Sequence, residues 1–276
     1  MLKVTFTDFR LLRQWGELML LEDSKIIAHE DLGKGQYLME ILCPQVAAVA
    51  VPGQFVHVSC ETAGSTDPLL RRPISIHKIN KEKGTIELYY LVVGKGTTML
   101  SQRPAGDAIS AMGPLGRGFE LKVPEQKAVL VGGGMGIAPL LALAEELKAQ
   151  GKEVVALLGA ADAQGLSRAK AFKDFGQVVE VTQDGSLGNK GLVTEHLTSL
   201  IDTGNTVIYS CGPEGMLKAV VQVAEQLNVP CQISLEASMA CGVGACLGCT
   251  CVSGAKGGYP KVCKDGPVFW SNEVIL

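Results

Sequence analysis

"KAVLVGGGMGIAPLLALAEELKAQG", residues 127–151, decides the fold. Lys127–Val131 is a short apolar run of the buried-strand type. Gly132, Gly133, Gly134 and Gly136 break it, and an apolar stretch carrying Glu145, Glu146 and Lys148 then runs to Gly151. Strand, tight turn and helix follow from that order. The uncharged run Ala128–Ala144 is too short, and too interrupted by glycine and proline, to read as a membrane span. Downstream the alternation continues. "EVVALLG", "QVVEVTQ", "TVIYS" and "CQISLE" read as strands, while "LSRAKAFKDFG", "LVTEHLTSLI" and "EGMLKAVVQVAEQL" read as helices. Strands alternating with helices build a doubly wound parallel α/β sheet, expected over residues 124–236.

Upstream, from about Ser24 to Leu121, the pattern is strand-like and punctuated by turns: "QYLMEIL", "VPGQFVHVSC", "PISIHKI" and "TIELYYLVV", with only "GTTMLSQR" reading as a short helix. That spacing predicts a small antiparallel β-barrel over residues 24–123. After Glu236 the alternation stops, and a Gly- and Cys-rich segment, 237–276, forms a small third domain.

Composition narrows the function classes. The 276 residues are 47% hydrophobic with a net charge of −3, which gives no reason to expect nucleic acid or an anionic membrane as partner. The first twenty residues have no apolar run or small-residue cleavage site of a signal peptide, so a cytoplasmic location is expected. In that compartment nine cysteines point to metal or redox use rather than disulfides. No G-x-S-x-G or H-E-x-x-H motif occurs, and no side chain is singled out as a catalytic acid or base.

"ACGVGACLGCTC", residues 240–251, spaces Cys241, Cys246 and Cys249 as C-x4-C-x2-C, with Cys263 beyond. This is the plant-type ligand pattern of a 2Fe–2S cluster. Structural zinc sites present two close pairs, which the x4 gap fits poorly. Gly242, Gly244 and Gly248 are expected to let the backbone curl around the cluster. Cys251 is either a buried bystander or a substitute ligand. His29, His57, His77 and His196 read as isolated surface or strand residues.

In the barrel, Arg72 precedes a strand that carries Ser75, suited to a phosphate and a ring system. "LYYLVVGKGTTML" leads a strand into Gly96 and Thr97 at a helix N-terminus, whose free amides suit a pyrophosphate. Together they point to FAD. In the second domain Gly133, Gly134 and Gly136 depart from G-x-G-x-x-G, since Ile137 takes the last position. The turn serves either a dinucleotide or close helix–strand packing. Cys211, Gly212 and Pro213 end a strand, where open sheets bind ligands. Asp162, with no basic residue until Arg168, favours NAD over NADP.

Barrel, nucleotide domain and cluster segment, in that order, resemble the ferredoxin–NAD(P) reductase superfamily, whose flavin motif appears here as Arg72-Pro73-Ile74-Ser75. Its nucleotide motifs appear as Gly133 to Pro139 and Cys211-Gly212-Pro213. "PGQFVHV", "RRPISI", "GPLGRGF", "TQDGSLGNKGLVT", "MACGVGACLGC" and "VCKDGPVF" are more specifically similar to the electron-transfer subunits of NAD-linked dihydroorotate dehydrogenases. The resemblance implies a chain that passes electrons from the FMN of a dihydroorotate-oxidising partner, through a 2Fe–2S cluster and FAD, to NAD in pyrimidine synthesis, within a dimer of heterodimers. It implies that Cys241, Cys246, Cys249 and Cys263 hold the cluster. Arg72, Pro73, Ile74, Ser75, Tyr89, Tyr90, Leu91, Gly96 and Thr97 would contact FAD. Ser75 would lie near the reactive flavin nitrogen, and Cys211 in the wall of the nicotinamide pocket. Residues 1–23 stand outside it as an N-terminal extension. A reductase subunit serving another flavoprotein complex, or a redox-sensing regulator, are the alternatives.

Overall fold

The computed structural model describes residues 12–14, 17–61, 67–254 and 257–276. Its first unit contains β1 (Leu12–Gln14), β2 (Glu17–Gly33), β3 (Gln36–Leu42), α1 (Pro44–Val49), β4 (Phe55–Val58), β5 (Arg72–Asn80), β6 (Thr85–Leu91), α2 (Lys95–Ser101) and β7 (Ala108–Leu115). Six strands run β2-β3-β6-β5-β4-β7 and close through a β7–β2 pairing, with β1 paired onto the outer part of β2. Closure leaves the ring no free edge. Alternate residues point inward, so Ile26, Met39, Ile41, Val56, Val58, Ile76, Ile86 and Leu88 fill the interior.

The barrel differs from the sequence reading at two places, and one residue accounts for both. The expected extension does not end at residue 23, because Leu20–Lys25 of β2 pair with Gly113–Ala108 of β7. Residues 1–11, 15 and 16 lie outside the described residues. The strand is hidden in the sequence because its inward positions, Leu20, Glu22 and Ser24, are mostly polar. The Glu22 carboxylate accepts the Val46 N–H at 3.3 Å, within the first turn of α1, a helix the sequence pattern did not announce. Burial raises the pKa of Glu22, while bonds from Val46 and Gln45 oppose that rise. Pro44 opens α1, and Val46 and Ala47 bury into the barrel core.

The second unit is a seven-stranded sheet, ordered β11-β10-β9-β8-β12-β13-β15. Its strands are β8 (Lys127–Gly133), β9 (Glu153–Ala160), β10 (Gln177–Thr182), β11 (Asn189–Lys190), β12 (Thr206–Cys211), β13 (Cys231–Ser234) and, after the small β14 (Val252–Ser253), β15 (Val268–Trp270). Helices α3 (Leu140–Ala149), α4 (Val193–Leu197) and α5 (Glu214–Leu227) cover the parallel part. The first-laid strand, β8, is central. The chain fills the sheet outward to β11, then returns to β12 on the other side. The crevice beyond the carboxyl ends of β8 and β12 is therefore the switch point, where such sheets take ligands.

The helix expected over "LSRAKAFKDFG" is instead two 3-10 pieces, Ala163–Leu166 and Ala169–Asp174. The break at Ser167 and Arg168 has a tertiary cause. Ser167 Oγ donates to Gln36 Oε1 at 2.7 Å, and Arg168 reaches His77 and Glu87, all in the barrel. The boundary expected after Glu236 is also not clean. The C-terminal segment returns β15 to pair antiparallel with β13, while β14 pairs with β16 (Val274–Ile275). No helix among the described residues is long and apolar enough to cross a membrane.

Two histidines read as isolated, surface-or-strand residues are strand residues, but fully buried ones. His57 and His77 show no exposed surface. Burial, reinforced by Arg71, lowers the His57 pKa from 6.5 to about 4. A histidine that is neutral when folded contributes stability above its unfolded pKa, and loses it as pH falls through the folded value. The variant His57→Phe is therefore expected to gain stability relative to wild type as pH drops from 6.5 towards 4. Denaturant midpoints of both proteins across that range check it.

Candidate functional site

Two cavities open at the switch point. The first, about 420 Å³, lies between barrel and sheet. It brings together Arg72, Pro73, Ile74 and Ser75 of β5, Tyr89, Tyr90 and Leu91 of β6, Thr97 of α2, and Cys211 at the end of β12. Arg72 lies over the start of α2, because a Cβ at Gly96 would meet its guanidinium at 2.5 Å. Gly96 thus lets the arginine reach the helix amides, and the pair forms a cradle suited to a pyrophosphate. The Thr97 hydroxyl accepts the N–H groups of Val93 and Gly94 at 2.9 and 3.2 Å, so it also fixes this turn. Beneath the floor, Tyr89 donates its hydroxyl to Gln36 at 2.6 Å. The open floor of strand side chains and the phosphate-suited rim fit a flavin dinucleotide.

Several wall residues escaped the sequence reading: Phe55, Met135, Ala138, Ser234, Glu236 and Met239. Among the described residues Glu236 is the one carboxylate of this wall. Its side chain is open to the cavity, and partial burial by the surrounding walls raises its pKa. The only signal in the sequence was its place just past the last parallel strand. Burial pushes the Cys211 thiol up to about 12, so it acts as an apolar wall rather than a nucleophile.

The second cavity, about 350 Å³, contains Gly133, Gly134 and Pro213, with Gly159, Ala160, Ala161, Gln183, Thr194 and Met216. Cys211 to Pro213 divide the two cavities. Gly136 lines neither. A Cβ there would stand 2.1 Å from the Cys211 carbonyl oxygen, so its lack of a side chain serves close packing. Asp162, expected to favour NAD, is also not on this wall. It pairs with Lys34 at 2.5 Å and accepts the Gly165 N–H at 3.1 Å. The wall of this cavity presents no Lys or Arg among the described residues.

The four cysteines converge beside the barrel. Val243 and Cys246 donate their N–H groups to Cys241 Sγ at 3.4 Å, Gly244 donates to Cys263 Sγ at 3.1 Å, and Cys263 donates to Cys249 Sγ at 3.4 Å. The thiols also meet pairwise, Cys241 with Cys246 and Cys249 with Cys263. Burial alone would raise the Cys241 pKa, but the amides aimed at its sulfur outweigh it and bring the thiol down to about 7. Burial and the Cys249 thiol push Cys263 up. Among the described residues no group of His, Cys, Asp or Glu closes around a single ion. Two thiol pairs under a canopy of amides match a binuclear iron–sulfur cluster better than one zinc ion. Gly242 and Gly244 take φ of 71° and 76°, as expected, but it is Leu247 at 61°, not Gly248, that makes the third left-handed turn. Cys251 Sγ donates to the Pro260 carbonyl at 3.5 Å. His57 is not isolated from the cysteines. Its ring lies where a Cβ at Gly242 would be, within 2.8 to 3.1 Å.

Comparison with known proteins agrees with this arrangement. Residues 236–275 match the family model described as the iron-sulfur cluster binding domain of dihydroorotate dehydrogenase B, and residues 130–222 match an oxidoreductase NAD-binding domain. The chain is 43% identical over 257 residues to the electron transfer subunit of dihydroorotate dehydrogenase B (NAD(+)) of Desulforamulus reducens, covering 92% of this chain and 97% of that one. It is 46% identical over 231 residues to the same subunit of Caldanaerobacter subterraneus subsp. tengcongensis, covering 82% and 87%. Among solved structures, a chain of the NADH-dependent reduced ferredoxin-NADP oxidoreductase, a flavin-based electron-bifurcating enzyme, superposes with a TM-score of 0.81 at 30% identity, covering 91% and 89%. A ferredoxin NADP+ reductase from Neisseria gonorrhoeae shares the fold at 19% identity and a TM-score of 0.63, covering 75% and 91%.

Two substitutions check the site. Cys246→Ser is expected to lower iron bound per chain sharply while flavin content stays unchanged, whereas Cys251→Ser leaves both as in wild type. Metal analysis and the flavin absorbance read them. Gly136→Ala, which drives a methyl group into the Cys211 carbonyl, is expected to cost about 1–3 kcal/mol and to weaken NAD binding at least tenfold by titration calorimetry.

Proposed function

The chain belongs to the family of dihydroorotate dehydrogenase B electron transfer subunits, and from that premise we infer that it carries electrons from a dihydroorotate-oxidising catalytic subunit to NAD in pyrimidine synthesis. The observation that carries the reading is that the three sites adjoin one another. Gly242 of the cysteine loop packs on His57 of β4, Phe55 of the same strand lines the flavin-suited cleft, and that cleft shares the Cys211–Pro213 wall with the nucleotide-suited cavity.

Cys241, Cys246, Cys249 and Cys263 would hold the 2Fe–2S cluster. Arg72, Gly96 and Thr97 would hold the FAD pyrophosphate, while Pro73 to Ser75 and Tyr89 to Leu91 would lie along its ring system. Gly133, Gly134 and the Cys211–Pro213 wall would take NAD. A 2Fe–2S cluster passes one electron at a time and NAD accepts a hydride, so a flavin, which can do both, is the group suited to stand between them. The protein's part is orientation and exclusion of water. Cys211 and Met135 wall the flavin-suited cleft with apolar surface, and Ser75 presents a hydroxyl to it. Glu236 presents its carboxyl group to the same cleft.

The partner is read as an FMN-bearing catalytic subunit, and the assembly as a dimer of heterodimers, in keeping with the closed symmetry of most oligomers. Exposed Leu247, in the loop between Cys246 and Cys249, supports a docking face around the cluster. The chain co-purified anaerobically with its partner is expected to form NADH from dihydroorotate and NAD, and to lose that activity in the Cys246→Ser variant. Cofactor-loaded protein that NADH reduces but dihydroorotate does not would keep the relay and reassign the donor. The similarity to the bifurcating oxidoreductase makes a reductase subunit of another flavoprotein complex the reading that would then apply.

A further inference from the structure

His77 lies at the centre of the contact between barrel and nucleotide sheet. It shows no exposed surface, and both ring nitrogens are used. Arg168 Nε stands 3.2 Å from His77 Nε2. A guanidinium can only donate, so Nε2 must carry the lone pair and Nδ1 the proton. Nδ1 lies 2.8 Å from the Ala138 carbonyl oxygen and therefore donates to it. Arg168 is in turn held by Glu87 of β6 at 3.4 Å. The ring packs at 5.3 Å against Tyr89, whose other side meets the flavin-suited cleft.

What this chain of bonds grips is the glycine turn. Ala138 closes the 3-10 turn Gly134–Ile137 and donates its N–H to Met135 at 2.9 Å. Met135 and Ala138 both line the first cavity, and Gly134 lines the second. One side of the turn rests on the Cys211 backbone through Gly136. The other side is fixed by the imidazole alone among side chains bonded to the Ala138 carbonyl. Burial, together with Arg168 and Lys78, opposes a charge on the ring, lowering its pKa to about 3, so Nε2 keeps its lone pair for Arg168 at neutral pH.

We propose that His77, oriented by the Glu87–Arg168 pair, is a positioning residue for hydride transfer. By holding the Ala138 carbonyl it sets where the turn Gly134–Ala138 stands, and so the nicotinamide against the flavin. This rests on the reading of the two cavities as flavin and nicotinamide sites. The imidazole takes no part in bond making. It fixes the distance and angle of the transfer, to which rates are steeply sensitive.

The test uses the purified holo-complex and three variants. His77→Gln keeps a group near the Nε2 position for Arg168 but withdraws the donor from Ala138, while His77→Asn places an amide N–H near the Nδ1 position. For His77→Gln, amide hydrogen exchange across residues 134–138 is expected to rise about tenfold. The kcat for NADH-driven dye reduction is expected to fall about tenfold, with KM for NADH nearly unchanged and the isotope effect with 4-deuterated NADH raised. His77→Asn is expected to recover most of both. Wild-type exchange and kcat in His77→Gln would overturn the proposal, as would equal losses in the Gln and Asn variants, which would mark a packing role only. If both His77 variants fail to fold, Arg168→Gln, at a partly exposed position, decides. It leaves the ring in place but frees its orientation, and unchanged exchange at 134–138 would overturn the proposal. Wild-type complex whose flavin NADH does not reduce would instead overturn the functional reading beneath it.

Discussion

The contact of the Gly136 α-carbon with the Cys211 backbone governs how the site is built. Parallel strands bring β8 and β12 side by side in register, Gly132 opposite Cys211, so the turns leaving both must share one small volume. A side chain at position 136 would stand 2.1 Å from the Cys211 carbonyl. With none, the turn after β8 folds flat onto the end of β12, and the two together wall both cavities. Gly212, with φ of 156°, lets the β12 end bend towards Pro213 and the second cavity without a Cβ striking Met216.

That packed pair of turns is held against the barrel from outside the sheet. Ser167, Arg168 and Gln164 forgo a regular helix and instead satisfy Gln36, His77, Glu87 and the Leu32 carbonyl. The C-terminal segment does the same at the opposite edge. β15 joins the nucleotide sheet, the Leu235 N–H donates to Pro267, and the Arg117 N–H donates to the Gly266 carbonyl. The cysteine loop is thus tied to both larger units and cannot swing as a free appendage. Fixed separation between redox groups is what electron transfer requires of a scaffold.

Much of this was legible from residue pattern alone. Every parallel strand of the nucleotide sheet from β8 to β13, except the two-residue β11, announced itself as a short apolar run, because strands covered on both faces carry little else. The cysteine spacing and the "RRPISI" strand were equally direct. What stayed hidden was of another kind. The start of β2 points Glu22 and Ser24 inward, which inverts the usual alternation, and the Val46 N–H explains Glu22. Arg168 reads as one cation of a surface helix until His77 and Glu87 are placed beside it. Asp162 has the right chemistry for a ribose but spends it on Lys34 and Gly165. Glu22, Arg168 and Asp162 are all polar side chains with a partner far away in the chain, information that local periodicity does not contain.

The two buried histidines sharpen the same point about the architecture. Both sit in strands of one barrel, and both face a neighbouring unit rather than the barrel interior. His77 meets the nucleotide turn through one directed bond, to the Ala138 carbonyl, and accepts a second from Arg168. His57 meets the cysteine loop through its flat face on Gly242, with neither ring nitrogen hydrogen-bonded among the described residues. Leaving a buried polar group unpaired costs about 1–3 kcal/mol, so an apolar ring would serve packing better. The barrel nevertheless carries an imidazole at each seam. At the nucleotide seam the bonds explain it. At the cysteine seam the cost is offset by shape: a flat ring against a glycine at φ of 71° lets the loop bearing Cys241 approach β4 more closely than any side chain at 242 would allow. The barrel holds its two neighbours by different means, direction for the turn that must orient a substrate and proximity for the loop that must bring a redox centre near.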